Sequence, residues 1–549
     1  MSTPSTKSSG SKKKKPAVEQ KAVPAGAPEL PARIWWIGVL VILVVAAALR
    51  FYDLNLVPLH HDEGVNGNFL VRLVREGEYR YDPQNYHGPT LYYFAAVIPW
   101  ITRLLFGTAA RDNYGMTTFT IRLIPVLFGL GTIGLIFCLR RRLGSVGTLA
   151  AGLLLAISPG AVYLSRYFIH ESQFVFFTLG IVVAGLRFYD TRNPLYLGLA
   201  SASAALLFAT KETAMISAGV LVIAFGVTHI YRWLYRAVFL PRRSGKGRRY
   251  VPEQSAFAVF LKDLGGWIPL VICVVIGLVI FVLINIIFYS SFFTNAQGIS
   301  DSLKTFEVWS KTSQTAHVYP AYRYIEWLLS QEGSLLFLGL IGAATAVLKP
   351  KNSFALFSAL WAFGLIAAYS LIPYKTPWLM LNFLVPLALI AGYLAQFIYE
   401  MDRGHVRVVA AIWLLPVCLS AYQMIDLNFI NYDNDKPYYV YVYAHTTRGM
   451  LDLVKEIDQI AAKEDGPKTG ISILSPDYWP LPWYLRNYSR VGYYGRTAAT
   501  SEPLIIANEK QKAEIDTNYG AVYQQVRSSA PDGSFELRPG VRLLLYQHR

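Results

Sequence analysis

The stretch Leu59-His60-His61-Asp62-Glu63-Gly64 decides how this chain is read. It lies about ten residues beyond an apolar segment, Ile34–Tyr52, that is long enough to form a membrane helix. Four titratable side chains in a row just outside a span are poorly explained by packing. A carboxylate can take a proton from a nucleophile or hold a metal, and neighbouring imidazoles can do either. The competing reading is a solvated loop marking where the chain leaves the bilayer, so the rest of the sequence has to decide.

Working outward, 54% of the 549 residues are hydrophobic and only 16% are charged. With a mean hydropathy of +0.34, this describes a polytopic membrane protein and excludes an ordinary soluble enzyme. The 36 tyrosines and 12 tryptophans suit many membrane–water interfaces. The net charge of +16 sits in loops between apolar segments and reads as an orientation signal, not as a nucleic-acid face. Cys138, Cys273 and Cys418 all fall inside predicted spans, so the loops and tail have no disulfide to form.

Residues 1–33, with the run Lys12–Lys15, read as a disordered basic tail in the cytoplasm. No small-residue cleavage site follows the first apolar segment, which is therefore a retained helix and not a signal peptide. Residues 34–425 form the membrane domain, with a first outer loop at 53–118. Within that loop, Pro89–Phe106 is apolar enough to span. A crossing there would put Arg140–Arg142 and the cluster Arg242–Arg249 outside, against the positive-inside rule. It reads instead as an interfacial helix, in keeping with Pro99, Tyr92, Tyr93 and Trp100.

About eleven spans result: 34–52, 119–139, 146–164, 174–189, 195–209, 214–231, 267–289, 334–348, 354–372, 378–399 and 406–425. This parity gathers polar chemistry on the outer face. Ser165–Ser172, Lys211-Glu212-Thr213, the loop Ser290–Glu332 and Tyr374–Trp378 all join Asp62 there. Residues 426–549 read as a small extracytoplasmic α/β domain. It has a helix at Gly449–Lys463, strands at Gly470–Leu474 and Pro503–Ala507, a helix at Glu509–Ile515, and a run Phe535–Tyr546 turning at Pro539-Gly540. Trp479–Leu485 is an aromatic patch that touches bilayer, membrane domain or acceptor, or else forms a buried corner.

Asp-Glu just after helix one, Tyr86-His87-Gly88-Pro89 opening an amphipathic helix, and Arg122-Leu123 starting helix two resemble the GT-C superfamily of membrane glycosyltransferases. Its relatives include the dolichyl-phosphate-mannose–protein mannosyltransferases and lipid A aminoarabinose transferases. The set His-His-Asp-Glu-Gly, His-Gly-Pro-Thr, Arg-Tyr-Phe-Ile-His-Glu, Thr-Lys-Glu-Thr and Tyr-Lys-Thr-Pro-Trp is similar to a prokaryotic subgroup labelled flippase activity-associated. The last motif departs from many relatives, so donor identity is not carried over. The resemblance implies an all-α polytopic domain in the cell (inner or plasma) membrane. It also implies transfer of a sugar, with inversion, from a polyprenyl-phosphate donor to a lipid, glycan or protein acceptor.

Such a reaction needs a base, for which Asp62 is the candidate, with Glu63 supporting it. It needs cations for the leaving phosphate: Lys211 and Lys375 first, then Arg122 and Arg166, each alternatively a snorkelling anchor. His61, His87, His170, Glu171, Glu212 and Tyr374 are candidate substrate contacts. Two cofactor alternatives stay open: none, or a divalent cation (Mg, Mn or Zn) on Asp62, Glu63 and Glu171. The rival from another class is a flippase or transporter of lipid-linked saccharide. It should carry ionisable residues through mid-span, where this chain has few.

Overall fold

The computed structural model describes residues 29–85, 87–106, 115–239, 256–315, 317–402 and 404–549. The tail lysines Lys12–Lys15, Tyr86 and the basic cluster Arg242–Arg249 lie outside the described residues. The chain is a helical bundle with a small sheet-containing domain at its C-terminal end. Helix α1 (Ala32–Phe51) shows how the bundle is built. Trp35, Val39, Ile42, Ala46 and Arg50 recur at helical spacing and face the bundle, while Trp36, Leu40 and Val44 stay exposed for lipid. The segment that follows carries α2 (His61–Arg75) and α3 (Thr90–Phe106), and α4 (Thr118–Phe137) returns to the bundle. Helix α3 buries Leu91, Tyr92 and Tyr93 against its neighbours and exposes Ile101, Leu104, Leu105 and Phe106 at its far end.

The span expected at 146–164 is two helices, α5 (Arg140–Ile157) and α6 (Pro159–Ser165), bent by 63°. Ser158 caps α6 and Pro159 takes its first position, a start signal that overrides continuous hydropathy. There follow α7 (Glu171–Thr191), α8 (Pro194–Phe208), α9 (Ala214–Phe239), α10 (Ala256–Leu264) and α11 (Trp267–Tyr289). The expected loop Ser290–Glu332 instead holds α12 (Gln297–Thr315) and α13 (Arg323–Gln331). Their polar faces lower the local hydropathy and hide the helical period.

Helix α13 meets α14 (Gly333–Leu348) at 111°, and α15 (Ser353–Leu371), α16 (Leu381–Met401) and α17 (Val406–Ile425) complete the bundle. Among the described residues, eight helices are long and apolar enough to cross a membrane, or up to ten if each bent pair is one span. Helix α16 is the buried axis. A Cβ on Gly392 would sit 2.3 Å from the Gly147 carbonyl oxygen, so only glycine allows α16 to approach α5 this closely.

The C-terminal domain contains α18 (Gly449–Ala461), β1 (Ile471–Ile473), α19 (Leu481–Tyr484), β2 (Val491–Tyr493), β3 (Leu504–Asn508), α20 (Lys512–Tyr519), β4 (Tyr523–Val526), β5 (Phe535–Arg538) and β6 (Val541–His548). The sheet runs β2-β1-β3-β6-β4 with β5 also on β6. Strands β2, β1 and β3 are parallel, and β6 is antiparallel to β3, β4 and β5. The hairpin at Pro539-Gly540 matches expectation. Strands β2 and β4 were not expected, being three and four residues long with half-exposed side chains.

The Trp479–Leu485 patch lies on α2. A Cβ on Gly64 would come 2.5 Å from Pro480 Cβ, and one on Gly67 2.6 Å from Trp483 Cε3. Two glycines one turn apart make a notch that receives the patch, and Trp483 is buried there. The Tyr484 hydroxyl accepts from the Leu59 amide at 2.9 Å, fixing the domain to the start of α2.

Candidate active site

His60 caps α2. Its Nδ1 accepts from the Asp62 amide at 3.1 Å, while its own amide donates to Glu63 Oε2 at 3.0 Å, a reciprocal cap. With Nδ1 accepting, Nε2 carries the ring proton and donates to the Tyr443 carbonyl at 2.9 Å. Asp62 and Glu63 are successive residues on a helix and so point about 100° apart, which follows from 3.6 residues per turn. Glu63 is fully buried, whereas the Asp62 side chain is 41% exposed. Among the described residues, no Lys or Arg pairs with Asp62.

Glu63 is saturated. Arg122 Nε donates to Oε1 at 2.8 Å and Nη2 to Oε2 at 2.6 Å, and the Phe168 amide donates to Oε1 at 2.7 Å. The remaining Arg122 donors go to the carbonyls of Leu54, Val57 and Pro58. Arg166 donates to the carbonyls of Leu49, Tyr52 and Asp53 at the end of α1. Both guanidiniums, expected at the phosphate, hold the turn between α1 and α2 instead, where the orphan carbonyls of a helix end need donors.

A second cluster is joined to this one through the turn Phe168–Glu171. Lys211 Nζ lies 2.5 Å from Glu171 Oε1, and His87 Nδ1 lies 3.1 Å from Glu212 Oε2. His170 Nε2 bonds the Gly88 carbonyl at 3.1 Å, with its ring 5.0 Å from that of His87. Gly88 has to be glycine, since a Cβ there would sit 2.0 Å from the Ala209 carbonyl oxygen. These contacts close one side of a small, tight pocket lined by His87, Lys211, Glu212, Trp309, Tyr369 and Tyr374. Burial works against the Lys211 charge, but Glu171 and Glu212 outweigh it and hold the ammonium above its ordinary range. Burial, with His87 and Lys211 adding to it, holds His170 well below the ordinary imidazole range.

Lys375 differs from Lys211. It is 1% exposed, and its Nζ donates to the carbonyls of Ser370 at 3.1 Å and Ile372 at 2.5 Å, with no carboxylate partner among the described residues. Burial lowers its pKa. The neighbouring Thr376 hydroxyl is buried without a hydrogen-bond partner among the described residues. A buried cation lacking a counter-ion is costly unless an anion arrives.

The expected cation site on Asp62, Glu63 and Glu171 is not assembled. Among the described residues, no three His, Cys, Asp or Glu side chains gather to hold a metal. Both Glu63 oxygens are filled and Glu171 is paired with Lys211, so these residues do not fit a divalent ion.

Sequence reasoning missed Tyr443, whose ring lies 6.0 Å from Trp378, and Asp477–Arg538, an ion pair at the rim beside His61. The two α2 glycines were the available signal for the docked domain.

A family model described as dolichyl-phosphate-mannose-protein mannosyltransferase matches residues 95–240. No curated protein matches by sequence. Among solved structures, ArnT from Cupriavidus metallidurans bound to undecaprenyl phosphate aligns with a TM-score of 0.58 at 13% identity, covering 94% of this chain and 98% of ArnT. Its apo state gives 0.60 at the same identity and coverage. The Archaeoglobus fulgidus oligosaccharyltransferase in complex with Zn and sulfate gives 0.51 at 13% identity, over 91% of this chain and 73% of that one. The fold is therefore the one shared by ArnT and this oligosaccharyltransferase, in keeping with the resemblance carried by the motifs.

Proposed function

We propose that this protein is an inverting glycosyltransferase of the outer membrane face, moving a sugar from a polyprenyl-phosphate carrier to an acceptor hydroxyl. The observation that carries the reading is the division of charge on one face: Asp62 is open and unpaired by any Lys or Arg among the described residues, while Lys375 is buried without a counter-ion among them. The acceptor oxygen attacks the sugar's anomeric carbon, Asp62 takes its proton, and the carbon–oxygen bond to phosphate breaks. The departing lipid phosphate gains negative charge, which Lys375 and then Lys211 meet. One open carboxylate and a single displacement give inversion.

Glu63, Arg122 and Arg166 position α2 and do not touch substrate. His61, His87, His170, Glu171, Glu212 and Tyr374 shape the sugar site. The undecaprenyl phosphate bound to ArnT supports the carrier class. The test is transfer of labelled sugar from polyprenyl phosphate by the protein in right-side-out vesicles. Asp62→Asn keeps shape and donor binding and should lower turnover by ~10²–10⁴. Undiminished transfer in Asp62→Asn removes the base assignment, and lipid flipping without transfer would favour a transporter.

A further inference from the structure

Between α13 and the segment Asp435–Tyr443 lies an open groove of about 480 Å³ that the reaction above leaves unused. Five of its fourteen lining residues are aromatic, Tyr319, Trp327, Tyr438, Tyr439 and Tyr443, against four aliphatic ones, Pro377, Pro437, Val440 and Val442. The tyrosine rings are held in place by their hydroxyls. Tyr438 accepts from Gln423 at 3.2 Å, Tyr439 donates to Asp426 at 2.9 Å, and Tyr443 bonds His317 at 3.1 Å. Rings anchored at their edges lose little freedom on binding, and the Arg323 guanidinium already stacks over the ring of Tyr319 at 5.3 Å.

The charged lining groups cancel: Arg323 pairs with Glu326 at 2.9 Å, and Asp435 adjoins Lys436. Such a wall offers neither a net positive charge for phosphate nor an aliphatic trough for a lipid tail. Ring faces framed by paired polar groups suit sugar rings, which present C–H faces and equatorial hydroxyls.

The groove leads to the site. Tyr443 ends it, and the carbonyl of Tyr443 receives the His60 Nε2 proton. Ala444, at φ +50°, then bends the chain away. Beside His60, His445 is 3% exposed and neither ring nitrogen has a partner among the described residues, so donors and acceptors of a hydroxyl-rich ligand would find a use there. We infer that this groove binds the acceptor as a neutral carbohydrate chain and presents its terminal hydroxyl to Asp62. The inference rests on the transferase reading and adds the acceptor class to it.

The test is saturation-transfer NMR on the full chain in nanodiscs, with linear mannose and glucose oligosaccharides of three to five units and a Ser/Thr-rich peptide as probes. The wild type should saturate an oligosaccharide. Trp327→Ala and Tyr438→Ala should bind it about tenfold more weakly, the loss expected for removing a ring at a recognition hot spot. Tyr438→Phe, which keeps the face, should bind it normally, and polyprenyl phosphate binding should persist in all three. No saturation of any sugar, equal saturation in the alanine variants, or saturation of the peptide alone overturns the inference. Oligosaccharide binding that survives in a protein unable to transfer sugar would count against the reaction and leave the groove standing.

Discussion

Arg122 and Glu63, 59 positions apart, meet through two parallel hydrogen bonds of 2.8 and 2.6 Å with both side chains buried. The pair joins α4 to the first turn of α2 and, through the Phe168 amide, to the turn before α7. Its worth is geometric: it fixes which way the helix faces, and hence where Asp62 points.

Glu63→Gln should therefore act on the fold. Removing one partner of a buried pair costs about 3–5 kcal/mol, because the guanidinium is left uncompensated. Thermal unfolding in detergent should show a large drop for Glu63→Gln and little change for Asp62→Asn. Equal stability of the two variants would mean that the pair does not hold α2.

The two lysines should separate in the same way. Lys375→Met removes a buried charge that has no counter-ion among the described residues, so stability should hold or rise while donor turnover falls by roughly 10²–10³. Lys211→Met strands Glu171 and should destabilise, and adding Glu171→Gln should restore much of the loss. If Lys375→Met transfers sugar at the wild-type rate, Lys375 does not meet the phosphate.

Gly67→Ala probes the notch. The new methyl group meets Trp483 at 2.6 Å, and overpacking of this kind costs about 1–3 kcal/mol. Limited proteolysis should release the C-terminal domain faster in this variant than in the wild type. Gly77→Ala, with nothing within 4 Å but φ at +69°, controls for backbone strain alone.

The pH response follows from His170. Its folded-state pKa lies below the ordinary 6.5, so the unfolded chain binds the extra proton. The resulting stability is present above about pH 6.5 and is lost as pH falls below it. His170→Gln should flatten the decline in melting temperature between pH 7 and 5, and an unchanged slope would place the acid sensitivity elsewhere.

Legibility in the sequence varied with the range of the interaction. His60–Gly64 stood out because titratable residues are scarce in an apolar chain, whereas the continuous hydropathy of 146–164 hid the helix start at Ser158-Pro159. The opposite fates of Asp62 and Glu63 required knowing that the segment is helical and which face is covered. That in turn depends on Arg122, Phe168 and Trp483, which lie 59, 105 and 420 positions beyond Glu63. Lys375 read as a cation at a span end, and only the structure distinguishes it from Lys211, since the difference is an absent partner. Helix α12 was hidden because an amphipathic surface helix has no hydropathy peak.

The notch formed by Gly64 and Gly67 also sets a clock. Leu59 leaves the ribosome early, and the Tyr484 hydroxyl that fixes it is encoded 425 residues later. At ~5–20 residues per second, roughly 20–85 s separate the two during synthesis. Through that interval α2 has no lid, so the open carboxylate reaches its final setting only when nearly the whole polypeptide has been made. A truncated product would carry every motif of the membrane portion and still lack a finished mouth.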